Sequence, residues 1–408
     1  MKGAVLAVGS ELLLGDVVNT DAAWLGRQLA AAGVQVVASE ALGDDVDRLV
    51  AAIARHLEEA DVLVLCGGLG PTVDDLTRDA IALACAAPLE RRPALEEQLR
   101  ATYAALGLPM PAAVLRQADV PRGAEPLDNP AGTAPGLWVP FGDKLVIALP
   151  GPPNELQAAS VTVWPRLAAL TGRVVTTRQV LVVGIGESVV AERVQAAVTV
   201  PDGVALSYLA GGLVVRVRFT TDGDPAVLAP LVAAAAEALG DHVWGYDRDT
   251  LDGVVHELLA AAGQTVAVAE SLTGGLLAAA LSTRGGASET FRGSVVVYAT
   301  DLKQSLAGVP GPLLVAHGAV SAQTAAALAA GARDRLGADW GLGVTGVAGP
   351  TEQEGKPVGT VYVAVAGPPG DASPAEVRTL QLRGDRERVR QLTVVSALDL
   401  LRRHLQQL

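Results

Sequence analysis

Thr265-Val-Ala-Val-Ala-Glu270-Ser271-Leu272-Thr273-Gly274-Gly275 joins an apolar run to a hydroxyl, two glycines and a second apolar segment. The run is short, rich in valine and free of polar interruption until Glu270, which predicts a buried strand over 265–269. The small-residue loop and the apolar stretch behind it predict a turn into a helix. Strand, loop and helix in this order form the unit of a helix-covered parallel sheet, on which ligands bind beyond the carboxyl ends of the strands. Tyr298 lies on the next strand-like run, and Lys303 follows just past it. A serine hydroxyl is a poor nucleophile until a base takes its proton, and a partly desolvated lysine can be that base. Ser271, Tyr298 and Lys303 therefore suggest a hydrolase that needs no metal in that step.

The same texture extends both ways. Towards the N-terminus, strands are predicted at 4–8, 34–37, 61–66 and 144–149. Between them lie a helix capped by Thr20 or Asp21 and an amphipathic helix over 44–60, with Val46, Leu49, Val50, Ile53 and Leu57 on one face. Residues 172–248 read differently, as short strands (174–183, 204–208, 213–220) with helices at 187–198 and 225–239, and 242–252 reads as a linker. Beyond it, strands at 294–298, 340–345 and 360–366 complete a further α/β unit. The expected fold class is α/β: two three-layer α/β/α domains, 1–170 and 249–408, joined by a small α+β module at 171–248.

Length and composition agree. A chain of 408 residues exceeds one ordinary core. Half the residues are hydrophobic and only 3% aromatic, so the cores are aliphatic. A net charge of −13 argues against a general nucleic-acid binder. Cys66 and Cys85, both in apolar runs, read as buried reduced thiols rather than a disulfide or zinc framework. The five histidines are scattered without metal-binding spacing. The N-terminal apolar stretch is short and interrupted by Glu11, which reads as a first strand and not a signal peptide. No apolar run is long enough to span a bilayer, so a cytoplasmic protein is expected.

Each motif has a plain structural alternative. Ser271, Thr273, Gly274 and Gly275 could present backbone N–H groups to an anion, or could simply cap a helix and pack closely. Gly318-Ala-Val-Ser321 reads as a loop entering a helix capped by Ser321. Thr345-Gly346-Val-Ala-Gly349-Pro350 could be a second backbone cradle or a tight turn. Gly67-Gly68-Leu69-Gly70-Pro71-Thr72 ends a strand, and Asp74 and Asp75 follow it. Glycines there allow close approach of an anion and the carboxylates could hold Mg²⁺ against its oxygens, or an aspartate could cap a helix. Glu11, Asp16, Asn19 and Asp21 form another acidic group. Gly132-Thr133-Ala-Pro135-Gly136 and Pro150-Gly151-Pro152 are rigid loops.

Together the motifs are more specific than any one. VGSELLLGDVVNTDAAWLG, CGGLGPTVDDLTRDA, RQADVP, NPAGTAPG and LPGPPNEL resemble the molybdopterin-binding-like domain of the CinA family (competence/damage-inducible protein A). AESLTGGLLA, FRGSVVVYATDLK, HGAVS, VTGVAGP and KPVGTVYVAV resemble that family's C-terminal domain, in the family order. The resemblance implies hydrolysis of the amide of nicotinamide mononucleotide (NMN) to nicotinate mononucleotide and ammonia, without a cofactor. Ser271 would be nucleophile, Lys303 base and later proton donor, and Tyr298 an orienting or relay group. Glu270, Thr273, Gly274, Gly275, Gly318, Ser321, Thr345, Gly346 and Gly349 would surround the substrate.

For the N-terminal domain the resemblance implies metal-dependent cleavage of the pyrophosphate of ADP-ribose. Gly9, Glu11, Gly67, Gly68, Gly70, Thr72, Gly132, Thr133, Pro135 and Gly151 would lie on the nucleotide. Asp16, Asp44, Asp74 and Asp75 are candidates for a divalent metal such as Mg²⁺. Two alternatives stand beside this: a pterin- or nucleotide-binding scaffold without turnover, and an accessory protein in competence or DNA recombination. The middle module is similar to the family's KH-like subdomain but lacks a GxxG loop with basic flanks, so no nucleic-acid partner is expected, nor a membrane. The family and the aliphatic composition suggest a homodimer. Leu272 stands where the family often has Cys, Thr300 where Asn is common, and Gly349-Pro-Thr-Glu-Gln-Glu-Gly355 lacks the family's frequent Asp-Gly-Gly.

Overall fold

The computed structural model describes residues 1–211, 213–370 and 374–407. They fall into two units, one of Met1–Thr177 with Thr221–Pro225 and the other of Arg178–Thr220 with Ala226–Leu408.

The first unit is built on six strands, β1 (Lys2–Val8), β2 (Gln35–Leu42), β3 (Val62–Cys66), β6 (Glu125–Leu127), β7 (Gly136–Phe141) and β8 (Lys144–Leu149), in the order β2-β1-β3-β8-β7-β6. A two-stranded ribbon, β4 (Leu89–Arg91) with β5 (Asp119–Pro121), stands apart. The central strands are buried on both faces because alternate side chains enter different cores. Ala4, Leu6 and Val8 join Leu49, Ile53 and Leu57 of the helix Val46–Glu59. Val5 and Ala7 join Leu25 and Leu29 of the helix Thr20–Ala31. Continuous apolar runs are what such two-sided burial requires.

Three expectations change here. The sheet is mixed, since β7 runs antiparallel to both β8 and β6. Asn19, not Thr20 or Asp21, caps the second helix through a bond from the Ala22 amide. The strand expected at 34–37 runs on to Leu42.

In the second unit, β9 (Thr176–Val183), β10 (Val204–Gly211), β11 (Val214–Thr221) and β12 (Val243–Tyr246) form one sheet in the order β10-β11-β9-β12. The stretch expected to be a linker at 242–252 thus contributes an edge strand. The middle module packs with the C-terminal sheet rather than standing alone. Leu181, Val183 and Trp244 share a core with the final helix, Arg386–Leu405. Arg402, fully buried on that helix, donates to the carbonyls of Asp241 and Val243. Asp399 balances its charge through Arg402 Nη2 at 2.6 Å.

The C-terminal sheet is β14-β13-β15-β16-β17, with β13 (Val266–Glu270), β14 (Phe291–Val296), β15 (Trp340–Gly346), β16 (Thr360–Ala366) and β17 (Glu376–Gln381). β13 pairs in parallel with β14 and β15, while β16 and β17 are antiparallel additions. Val266 and Val268 face the helices Leu251–Ala262 and Arg386–Leu405. Ala267 and Ala269 face Leu328 and Ala332 of the helix Ala322–Leu336. That helix lies directly on the backbone of β15: a Cβ at Gly341 would stand 1.9 Å from the Ala329 carbonyl oxygen, and one at Gly343 2.3 Å from that of Ala325.

Burial raises the thiol pKa of Cys66 to about 12 and of Cys85 to about 11, so both stay protonated. Among the described residues, no helix is long and apolar enough to cross a membrane.

Candidate active site

β13 ends on Glu270, and Ser271 follows at the carboxyl edge of the sheet, its amide bonded to the Val344 carbonyl of β15. Lys303 comes from the short helix Thr300–Ser305 that leaves β14. Its Nζ donates to Ser271 Oγ at 3.1 Å, to the Val297 carbonyl at 2.8 Å and to the Tyr298 carbonyl at 3.2 Å. Lys303 is 2% exposed and Ser271 8%. Burial lowers the lysine to about 8 from its ordinary value of 10.5, against the opposing charges of Glu354 and Asp301. An amine in that range has a neutral fraction near physiological pH, and the serine proton lies within its reach.

A cavity of about 270 Å³ opens over this pair. Thr345, Gly346 and Gly349 line it, as does Tyr298. The Tyr298 side chain is 55% exposed, and its hydroxyl accepts a bond from Arg386 Nη2 at 2.5 Å. That hydroxyl bonds to neither Ser271 nor Lys303; it is the Tyr298 carbonyl that bonds the lysine. Arg386 also lines the cavity and is tied to the Gly349 carbonyl by Nη1 at 2.7 Å. It places a guanidinium where an anionic substrate group can reach it.

The remaining expected substrate contacts lie elsewhere. Glu270, fully buried, accepts from the amides of Gly275, Leu277 and Ala278 at 2.9, 3.1 and 2.8 Å. Its carboxylate thereby fills the anion cradle expected at Thr273, Gly274 and Gly275, because a helix start offers its free N–H groups to the nearest negative charge. Thr273, Gly274 and Gly275 do not line the cavity. Ser321 caps the helix Ala322–Leu336 through the Thr324 amide. Gly318 is replaced at the cavity wall by Ala319 and Val320, whose amides bind the Glu354 carboxylate at 2.9 and 3.0 Å. Arg386 and Glu354 went unseen in the sequence; the second sits in the loop that departs from the family pattern.

In the first unit, a cavity of about 580 Å³ lies beyond the carboxyl ends of β1 and β3. Gly9, Glu11, Gly67, Gly68, Gly70, Thr133 and Gly151 line it, with Asp44, Asp74 and Asp75. Gly132 and Pro135 line a neighbouring cavity of about 230 Å³. Thr72 lies outside both and braces the loop by bonding Asp74 and Asp75 through its hydroxyl. Asp16 also lies outside both cavities. Asp44 is engaged by the amide and hydroxyl of Ser10, and Asp75 by the amides of Gly70 and Thr72. Among the described residues, no three His, Cys, Asp or Glu side chains converge as metal ligands. The expected set of Asp16, Asp44, Asp74 and Asp75 is therefore no ready-made cage.

Residues 248–405 match the family model described as "CinA C-terminal domain", and residues 4–169 match that described as "Probable molybdopterin binding domain". A CinA-like protein of Frankia casuarinae is 47% identical, the match covering 99% of this chain and 96% of that protein. A CinA-like protein of Parasynechococcus marenigrum is 42% identical over 98% and 97%. The chain belongs to the CinA family. A crystal structure of CinA from Thermoplasma acidophilum, described as of unknown function, matches 41% of this chain and 99% of its own at 35% identity, with a TM-score of 0.39. The Ser271–Lys303 pair thus lies in the region that matches the CinA C-terminal domain, and the cavity of about 580 Å³ in the region that matches the molybdopterin-binding domain.

Proposed function

We propose that the C-terminal domain hydrolyses the carboxamide of NMN, giving nicotinate mononucleotide and ammonia. One observation carries this: a buried lysine, depressed to about 8, stands 3.1 Å from a serine hydroxyl at the floor of an open cavity. Neutral Lys303 takes the Ser271 proton as Oγ bonds to the carboxamide carbon. The resulting ammonium returns that proton to the departing nitrogen, ammonia leaves, and water then cleaves the acyl-enzyme to the carboxylate with Lys303 again as base. Arg386 at the rim pairs with the 5′-phosphate, a bidentate arrangement that guanidinium groups favour. Incubating the protein with NMN in EDTA and measuring ammonia tests this, with Ser271→Ala and Lys303→Ala beside it. Turnover by wild type and a loss of at least about a thousandfold in either variant is expected; Ser271→Ala at wild-type rate refutes it.

The glycine-lined cavity of about 580 Å³ supports a second reading, a nucleoside-diphosphate site in the first unit with ADP-ribose pyrophosphatase activity. Its glycines let the backbone approach phosphate oxygens. Asp44, Asp74 and Asp75 of the lining would be the carboxylates to hold a divalent ion, which would neutralise charge on the phosphates. Release of AMP and ribose 5-phosphate from ADP-ribose, abolished by EDTA while NMN turnover persists, separates the two activities.

A further inference from the structure

The loop between β15 and β16 closes on a tight turn, Gln353-Glu354-Gly355-Lys356. Its outer residues exchange backbone bonds, from the Gln353 amide to the Lys356 carbonyl at 3.2 Å and from the Lys356 amide to the Gln353 carbonyl at 2.9 Å. Both central residues have positive φ, 54° at Glu354 and 68° at Gly355, as a type I′ turn requires. Glycine, asparagine and aspartate suit such positions; glutamate gains nothing locally from one. The reason for a glutamate lies at the far end of its side chain. One carboxylate oxygen accepts the Ala319 amide at 2.9 Å, and the other accepts the Val320 amide at 3.0 Å. Gly318 makes the room, since a Cβ there would stand 2.3 Å from Glu354 Oε2. The receiving turn is itself braced, because Thr324 Oγ1 donates to the Gly318 carbonyl at 2.7 Å.

Both parties to this clasp line the cavity over Ser271, Ala319 and Val320 from the turn and Thr351, Glu352 and Gln353 from the loop. The loop is held at its base by backbone bonds of Val347 with Gly359 and Thr360, and at Gly349 by Arg386. Glu354 holds its tip. We propose that Glu354 is a positioning residue of this cavity: its carboxylate clasps the 318–320 turn and so sets how far residues 351–353 stand from the Ser271–Lys303 pair. Its charge has a second effect. Glu354 and Asp301 are the two carboxylates whose charge favours the protonated form of Lys303, so opening the clasp also carries a negative charge away from the base. The clasp holds whatever the substrate is; its consequence for turnover rests on the deamidase reading above.

The test uses the full chain with Glu354→Gln, Gly318→Ala and the double variant. Gly318→Ala displaces the carboxylate while leaving the loop sequence untouched. A glutamate-specific protease cuts after Glu352 when the loop detaches, and cleavage of that bond, followed by mass spectrometry without substrate, should be at least about fivefold faster in either single variant than in wild type. With NMN, KM should rise about tenfold in each, while kcat at its high-pH plateau changes by less than about threefold. The double variant should be no worse than either single one, since both open the same contact. The pH midpoint of kcat/KM should fall in both, which a merely structural role would not produce. Wild-type cleavage after Glu352 in both single variants, an unchanged KM in Glu354→Gln, or effects that multiply in the double variant overturn the role of Glu354. Absence of NMN turnover by wild type overturns the deamidase reading alone, and the cleavage rates then decide the clasp.

Discussion

Raising the pH from 7 to 9 should increase kcat/KM for NMN about tenfold, because the reaction draws on neutral Lys303. Burial places that amine at about 8. The neutral fraction is then about 9% at pH 7, about 50% at pH 8 and about 91% at pH 9. The sign is fixed by the role: a base works deprotonated, so the rate climbs as protons leave. The second phosphate ionisation of the substrate lies near 6 and is complete before this range begins. The group that opposes the depression most is Glu354, so Glu354→Gln should move the midpoint to lower pH. The assay is the initial rate of nicotinate mononucleotide formation at NMN well below KM, in EDTA and at constant ionic strength. Under those conditions kcat/KM reports the free enzyme. A profile that is flat from pH 7 to 9, or a midpoint that rises in Glu354→Gln, refutes Lys303 as the base.

Two further outcomes follow from the same buried groups. Lys303→Met should be inactive yet melt above wild type at pH 7, since a buried ammonium is replaced by an apolar chain. The advantage should shrink between about pH 8 and 10.5, where the unfolded lysine holds a proton that the folded one has released and wild-type stability therefore rises with pH; a pH-independent difference in melting temperature counts against it. Glu270→Ala should cost about 2–4 kcal/mol in chemical denaturation, because it strips the acceptor from the Gly275, Leu277 and Ala278 amides. A variant as stable as wild type would mean that those amides find other partners.

Strands buried on both faces are legible because apolar residues run on without a break, as in Val62–Cys66 and Thr360–Ala366, and one-faced strands such as Val214–Thr221 show through alternation. The strands that stay hidden fail these tests for separate reasons. Glu125–Leu127 and Gly136–Phe141 each contain a proline, which argues against a strand until the edge that tolerates it is known. Val243–Tyr246 has four residues, one a glycine. Glu376–Gln381 is a half-exposed edge whose polar residues read as loop. In the site, Ser271 and Lys303 are legible because one strand–loop–helix and the next element carry them. Arg386 is not, because its partners Tyr298 and Gly349 come from elements far away in the chain. Glu270 shows the opposite failure. A carboxylate beside the serine looks like a substrate contact, and only the direction of its side chain shows that it serves the fold.

The helix Ala322–Leu336 rests on β15 main chain to main chain, with Gly341 and Gly343 leaving no side chain between them. A spacing made by rotatable side chains has some slack; one made by carbonyl oxygens against Cα atoms has a single value. Both partners of that contact reach the cavity over Ser271, Thr345 and Gly346 from the strand and Ala319 and Val320 from the turn before the helix. Thr345 Oγ1 bolts them together by donating to the Ala319 carbonyl at 2.7 Å. This wall therefore works as a gauge block with no adjustment. Room for a bulkier ligand has to come from the rest of the lining, such as Thr351, Glu352 and Gln353 of the loop behind β15.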